Sequence, residues 1–194
     1  MDKTPQLPIT PMALDLWYEG PGFVVADKPQ GMAVHPDRAD GEGTLVNGLL
    51  QSNRWLAEME TSHAPGVIHR LMAQDRGLVL VAKSEDMAEA LRGLYREQAI
   101  TFSYRVRIAK DVRPVATELV TVFGHQVYDD VSVWDIDSPL GDTEQLRSEW
   151  LGEVSRDAYF VAYRMDIPAP RTHIQVGLGE RIGLPAIDLY TVPT

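Results

Sequence analysis

The loop H-R-L-M-A-Q-D-R-G, residues 69–77, is held between two short apolar runs, G-V-I-H ahead of it and G-L-V-L-V-A-K behind it. Both runs are too short for helices and rich in branched side chains, so each reads as a buried strand and the loop joins the two. The loop carries a histidine, two arginines and one acid, Asp75, with Met72 at its centre. It resembles an active-site loop whose reactive residue has been replaced. A thioether has no ionisable proton and no charge, so Met72 cannot act as an acid, a base or an oxygen nucleophile.

The surrounding chain alternates strands with few helices. L-D-L-W-Y-E-G and G-F-V-V-A-D-K-P, divided by Gly20-Pro21-Gly22, predict two strands around a tight turn. G-T-L-V-N-G-L-L-Q-S-N-R-W-L-A-E-M predicts a helix capped by Thr44, with Leu45, Leu49 and Leu56 near helical spacing. The clearest helix is S-E-D-M-A-E-A-L-R-G-L-Y-R-E-Q: Ser84 caps it, Glu85 and Asp86 suit its positive end, and Met87, Leu91 and Leu94 line one face. In T-F-S-Y-R-V-R-I-A, Phe102, Tyr104, Val106 and Ile108 alternate with Ser103, Arg105 and Arg107, the period of a half-buried strand. Further strands are expected at T-E-L-V-T-V-F-G, V-S-V-W-D-I, A-Y-F-V-A-Y-R-M-D-I and T-H-I-Q-V-G-L, with a loop at the acidic G-D-T-E-Q. The class is α+β.

The 194 residues, 44% of them hydrophobic, suffice for one domain with a sizeable core. Residues 1–13, with Pro5, Pro8 and Pro11, read as a flexible lead-in, and residues 14–194 as the domain. There is no cysteine, which excludes disulfides, thiolate nucleophiles and zinc sites built on Cys, and makes a reducing cytoplasm the expected compartment. No apolar run of membrane-spanning or signal-peptide length occurs, so no membrane association is expected. His35, His63, His69, His125 and His173 have no metal-binding spacing, so no metal is expected.

Net charge is −10, an unpromising sign for a protein that must hold a polyanion. The charge is uneven: residues 1–65 carry 4 basic and 9 acidic side chains, residues 66–110 carry 8 and 5, and residues 111–194 carry 6 and 14. The basic middle segment suits a polyanion and equally suits a solvated face.

Several stretches, in this order, resemble the RluA-type pseudouridine synthases: F-V-V-A-D-K-P-Q-G-M-A-V-H-P, G-T-L-V-N-G-L-L, the loop with its flanking runs, T-F-S-Y-R-V-R-I, I-D-S-P-L-G and R-T-H-I-Q-V-G-L-G-E-R-I-G-L-P-A-I-D-L-Y. The resemblance covers roughly residues 14–190. It implies the pseudouridine synthase catalytic-domain fold: a mixed, mostly antiparallel sheet with few helices and a central cleft. The implied activity is isomerisation of a flipped-out uridine in RNA, without metal or cofactor. It also implies a C-terminally shortened domain that stands alone, with no additional N-terminal RNA-binding domain.

In that family the loop runs H-R-L-D-x-x-T-S-G, and its Asp attacks the uridine. His69, Arg70, Leu71 and Gly77 keep the register here, and Met72 stands at the Asp position. Asp75 falls at the family's Thr position. Tyr104 matches the Tyr that packs against the flipped base. Gln175 stands near a family Arg, the usual basic partner of the catalytic Asp, and Gly177 near a second His. Losing both members of an ion pair is coherent, since removing only the carboxylate would strand a buried charge at a cost of roughly 3–5 kcal/mol.

Met72, Tyr104 and Gln175 are thus the family's catalytic positions, Met72 without function. His69, Arg70, Arg105, Arg107, Arg171, Thr172 and His173 are the candidates for substrate binding. Met72 is expected to lie buried as an apolar plug near Tyr104, with Asp75 turned towards solvent or a loop partner. Against this stand blander readings: Arg70 as a surface arginine, Tyr104 as a strand aromatic, and 171–173 as a backbone brace. Three functions remain open: an inactive synthase-like protein with weak, salt-sensitive RNA binding; an active RNA pseudouridine synthase with a non-standard site; and an acidic module that binds an unknown protein partner.

Overall fold

Gly20, Pro21 and Gly22 turn the chain back on itself, so that β1 (Leu16–Glu19) and β2 (Phe23–Lys28) pair antiparallel. A computed structural model describes residues 7–38, 41–59, 64–152, 157–169 and 172–175. The chain forms two compact units, Met1–Glu97 and Gln98–Thr194.

In the first unit β2 pairs antiparallel with β3 (Arg76–Ala82), Phe23 opposite Ala82 and Lys28 opposite Gly77. All of β2 and nearly all of β3 are buried, which is why neither shows the alternation of a half-buried strand. α1 (Leu45–Ser52) starts at Thr44 with a capping box: the Thr44 hydroxyl accepts from the Asn47 amide, and the Asn47 side chain accepts from the Thr44 amide. The predicted single helix stops early. Both the backbone N–H and the side-chain amide of Asn53 donate to the Leu49 carbonyl, ending α1, and a short 3-10 helix, Arg54–Glu58, follows. α2 (Glu85–Arg96) is capped by Ser84, whose hydroxyl accepts from the Met87 amide.

In the described part of the lead-in, the carbonyl of Pro8 and the amides of Thr10 and Met12 hydrogen-bond to Asn47 or Gln51 of α1. One expectation fails here. G-V-I-H forms no full strand, only one isolated bridge between Val67 and Val81. Gly66 sits at φ +68°, where a Cβ would run into the Ala82 carbonyl. Two residues after Val67, a side chain replaces the backbone as acceptor, as described below.

In the second unit five strands run antiparallel in the order β5 (Thr121–Val127), β6 (Val131–Ser138), β4 (Thr101–Ala109), β7 (Tyr159–Ala169), β8 (Thr172–Gln175). The predicted alternation of β4 holds, with Phe102, Tyr104, Val106 and Ile108 buried and Arg107 exposed. The acidic stretch expected as a loop instead starts α3 (Thr143–Leu151). The Asp142 carboxylate accepts from the amides of Glu144 and Gln145, so an acid that looks like loop chemistry is an N-cap. Leu146 and Trp150 give α3 its buried side, and Trp150 meets Trp134 of β6 edge to face at 5.8 Å. No helix among the described residues is long and apolar enough to cross a membrane.

Candidate functional site

The loop after His69 is a tight turn. The Asp75 amide donates to the Met72 carbonyl at 3.0 Å, leaving Ala73 and Gln74 exposed at its corner. Its path is fixed from below by Lys28, the last residue of β2. The Lys28 ammonium is buried and donates to the carbonyls of Asp75 (2.6 Å), Met32 (2.7 Å) and Pro29 (3.0 Å), with the Ala73 carbonyl at 3.4 Å. The Gly31 amide, at a φ of +85° that glycine adopts freely, also donates to the Ala73 carbonyl. One cation thus ties the segment after β2 to the turn that carries position 72. Burial pushes the Lys28 pKa down to about 8, while the carboxylates of Asp75 and Asp27 pull it back up.

Met72 is half-buried, and Asp75 is fully buried instead of turned to solvent. The reason is electrostatic. The carboxylate of Asp75 lies close enough to Lys28 to stabilise its ammonium, and a buried charge calls for a counter-charge. Asp75 therefore does not face solvent.

His69 is also held by its surroundings. Ile68 donates its amide to the Leu80 carbonyl, and the Leu80 amide donates to Nε2 of the buried His69 ring at 3.1 Å. The imidazole takes the place of the backbone acceptor that a regular strand would offer. This contact braces β3. Arg70, next in the chain, is exposed. Arg76, at the start of β3, pairs with the buried Asp27 carboxylate at 3.2 Å.

In the second unit Tyr104 is fully buried, its ring between Phe102 and Phe160, and its hydroxyl donates to the Leu140 carbonyl at 2.8 Å. That hydroxyl is engaged in the fold. Arg105 is not the open phosphate contact expected of it: its guanidinium forks onto the Asp135 carboxylate at 2.9 and 3.3 Å and lies over the Tyr163 ring. Arg107 is exposed on the same strand. Thr172, His173 and Gln175 lie in β8, opposite Ala169, Pro168 and Asp166 of β7. Arg171 and Gly177 lie outside the described residues. Among the described residues no three His, Asp or Glu side chains are grouped to hold a metal ion.

Lys28 and the pair Arg76–Asp27 escaped the sequence reading. Lys28 follows Asp27 at the end of F-V-V-A-D-K, so two adjacent charges there masked the signal that the lysine is buried.

An isolated bridge at Val67, a tight turn and strand β3 framing H-R-L, together with an antiparallel sheet with Tyr104 on its central strand, are features of a protein of the pseudouridine synthase class. The family model described as RNA pseudouridylate synthase matches residues 22–148, and the chain belongs to that family, in its RluA-type branch. An uncharacterized RNA pseudouridine synthase of Bacillus subtilis is 37% identical over 94 residues, which cover 48% of this chain and 31% of that protein. The ribosomal large subunit pseudouridine synthase D of Neisseria meningitidis is 34% identical over 114 residues, 59% of this chain and 29% of that one. The matches thus span about three tenths of these relatives' lengths. The solved structure of human RNA pseudouridylate synthase domain containing 1 superimposes with a TM-score of 0.61 at 18% identity, covering 91% of this chain and 86% of that one, a likeness of fold.

Proposed function

We propose that this chain is a pseudouridine synthase homologue that no longer isomerises uridine and keeps a weak, salt-sensitive contact to RNA. The observation that carries the reading is Met72 at the family's nucleophile position, in a turn whose ends remain in register. The loop's one acid, Asp75, is buried beside the ammonium of Lys28, where its charge already has a structural use. Gln175 near the family's Arg position removes the partner that an attacking carboxylate would need. Arg70 and Arg107 are exposed and suit phosphate contacts, but a chain of net charge −10 limits their reach.

The test is incubation of the purified protein with transfer and ribosomal RNA, followed by chemical mapping of pseudouridine. No product above background is expected. Robust turnover overturns the proposal, and turnover that vanishes in Asp75→Asn assigns the chemistry to that carboxylate.

A further inference from the structure

From β5 we infer that the outer edge of the second unit's sheet is a docking site for an extended, cationic polypeptide segment, which adds to it as a further strand. β5 pairs with β6, and no other strand pairs with it among the described residues. An open edge presents a row of backbone N–H and C=O groups that another chain can match, and proteins commonly guard such edges with lysines, prolines or bulges. T-V-F-G-H-Q-V, residues 121–127, contains no Lys, Arg, Asp, Glu or Pro. Its one guard is a register shift between Val122 and Gly124, which leaves Phe123 out of the pairing. Beyond that bulge His125, Gln126 and Val127 run in regular register with Trp134, Val133 and Ser132.

The edge is also apolar. Val122, Phe123 and Val127 are 44%, 55% and 51% exposed, three of the five exposed large hydrophobic residues of the described chain. Such side chains offer the pockets between which an added strand sets its own.

Charge selects the occupant. Glu118 lies before β5 and Asp129 and Asp130 after it, all exposed, and Asp137 stands opposite Thr121 on β6. The nearby cations, Lys110 and Arg113, donate to the backbone carbonyls of Asp129, Lys110 and Val112. An antiparallel second copy would set Glu118 of one chain against the acids that follow β5 in the other, and RNA would add like charge throughout. A strand with small or branched residues at its centre and lysines or arginines at its ends matches both the apolar middle and the acidic ends.

The experiment measures amide hydrogen exchange of the full chain with the peptide acetyl-KKVTVTVKK-amide. Residues 121–127 should exchange about tenfold more slowly in its presence, as expected when a sheet edge becomes an interior strand. The acidic counterpart acetyl-EEVTVTVEE-amide should give no protection. Val127→Lys, at a side chain exposed enough to be replaced without unfolding, should abolish the effect. No slowing overturns the inference, and so does equal slowing by the acidic peptide. It is also overturned by protection that grows with protein concentration alone alongside a dimer in sedimentation, or by the same protection from an oligouridylate.

Discussion

The ammonium of Lys28 stands 2.6 Å from the carbonyl oxygen of Asp75, 47 positions further along the chain, and so closes the turn that carries Met72. Because burial holds its pKa near 8, well under the ordinary 10.5, the unfolded chain keeps a proton between those values that the folded chain has released. Stability from this group therefore rises with pH across the window from about 8 to 10.5, and the penalty for burying the charge is fully present below it. Wild type should show this rise in urea titrations and Lys28→Met should not. Parallel pH profiles would mean that Lys28 does not titrate there.

Restoring the family's acid alone should fail. Met72→Asp is expected to yield no pseudouridine, since Gln175 supplies no cation to pair with the new carboxylate. The half-exposed position should tolerate the change at a cost of no more than about 1 kcal/mol. Product formation by this single variant would sink the interpretation of Gln175.

His69→Ala removes the acceptor of the buried Leu80 amide and should destabilise the protein by about 1–3 kcal/mol. His69→Gln, which can present an oxygen at similar reach, should recover part of that loss. Equal stability of all three proteins in thermal denaturation would show that the ring does not brace β3.

The two arginines of β4 should behave differently. Arg107→Glu should weaken binding to a single-stranded RNA and lower the salt slope by about 1, the loss of roughly one phosphate contact. Arg105→Glu should instead lower stability, because it sets a second carboxylate against Asp135. Binding unmoved by Arg107→Glu would take RNA away from this strand.

Local chemistry was the legible part of the chain. Thr44 and Ser84 cap helices because their hydroxyls meet amides three residues on, and β4 alternates because one of its faces is buried. Contacts over long sequence separations were not legible. Nothing local in Asp75 says that a lysine from β2 will lie beneath it, so of the two expected surroundings, solvent or a loop partner, solvent was wrong. Asp142 misled for the opposite reason: an acid before a polar run suits a loop and an N-cap equally, and only Leu146 and Trp150, four apart, favoured the helix. Arg105 looked like groove chemistry because its partner, Asp135, lies on a strand 30 residues away.

The imidazole of His69 has a wider implication for how such proteins are recognised. A side chain that accepts a backbone amide of β3 serves the fold, whatever becomes of the reaction next to it. In this chain, finding His-Arg-Leu identifies the scaffold and carries no vote on whether uridine is turned over. A search pattern that counts this histidine as evidence of an enzyme scores a backbone brace, and under the function proposed above the discriminating letter is the one that follows the leucine.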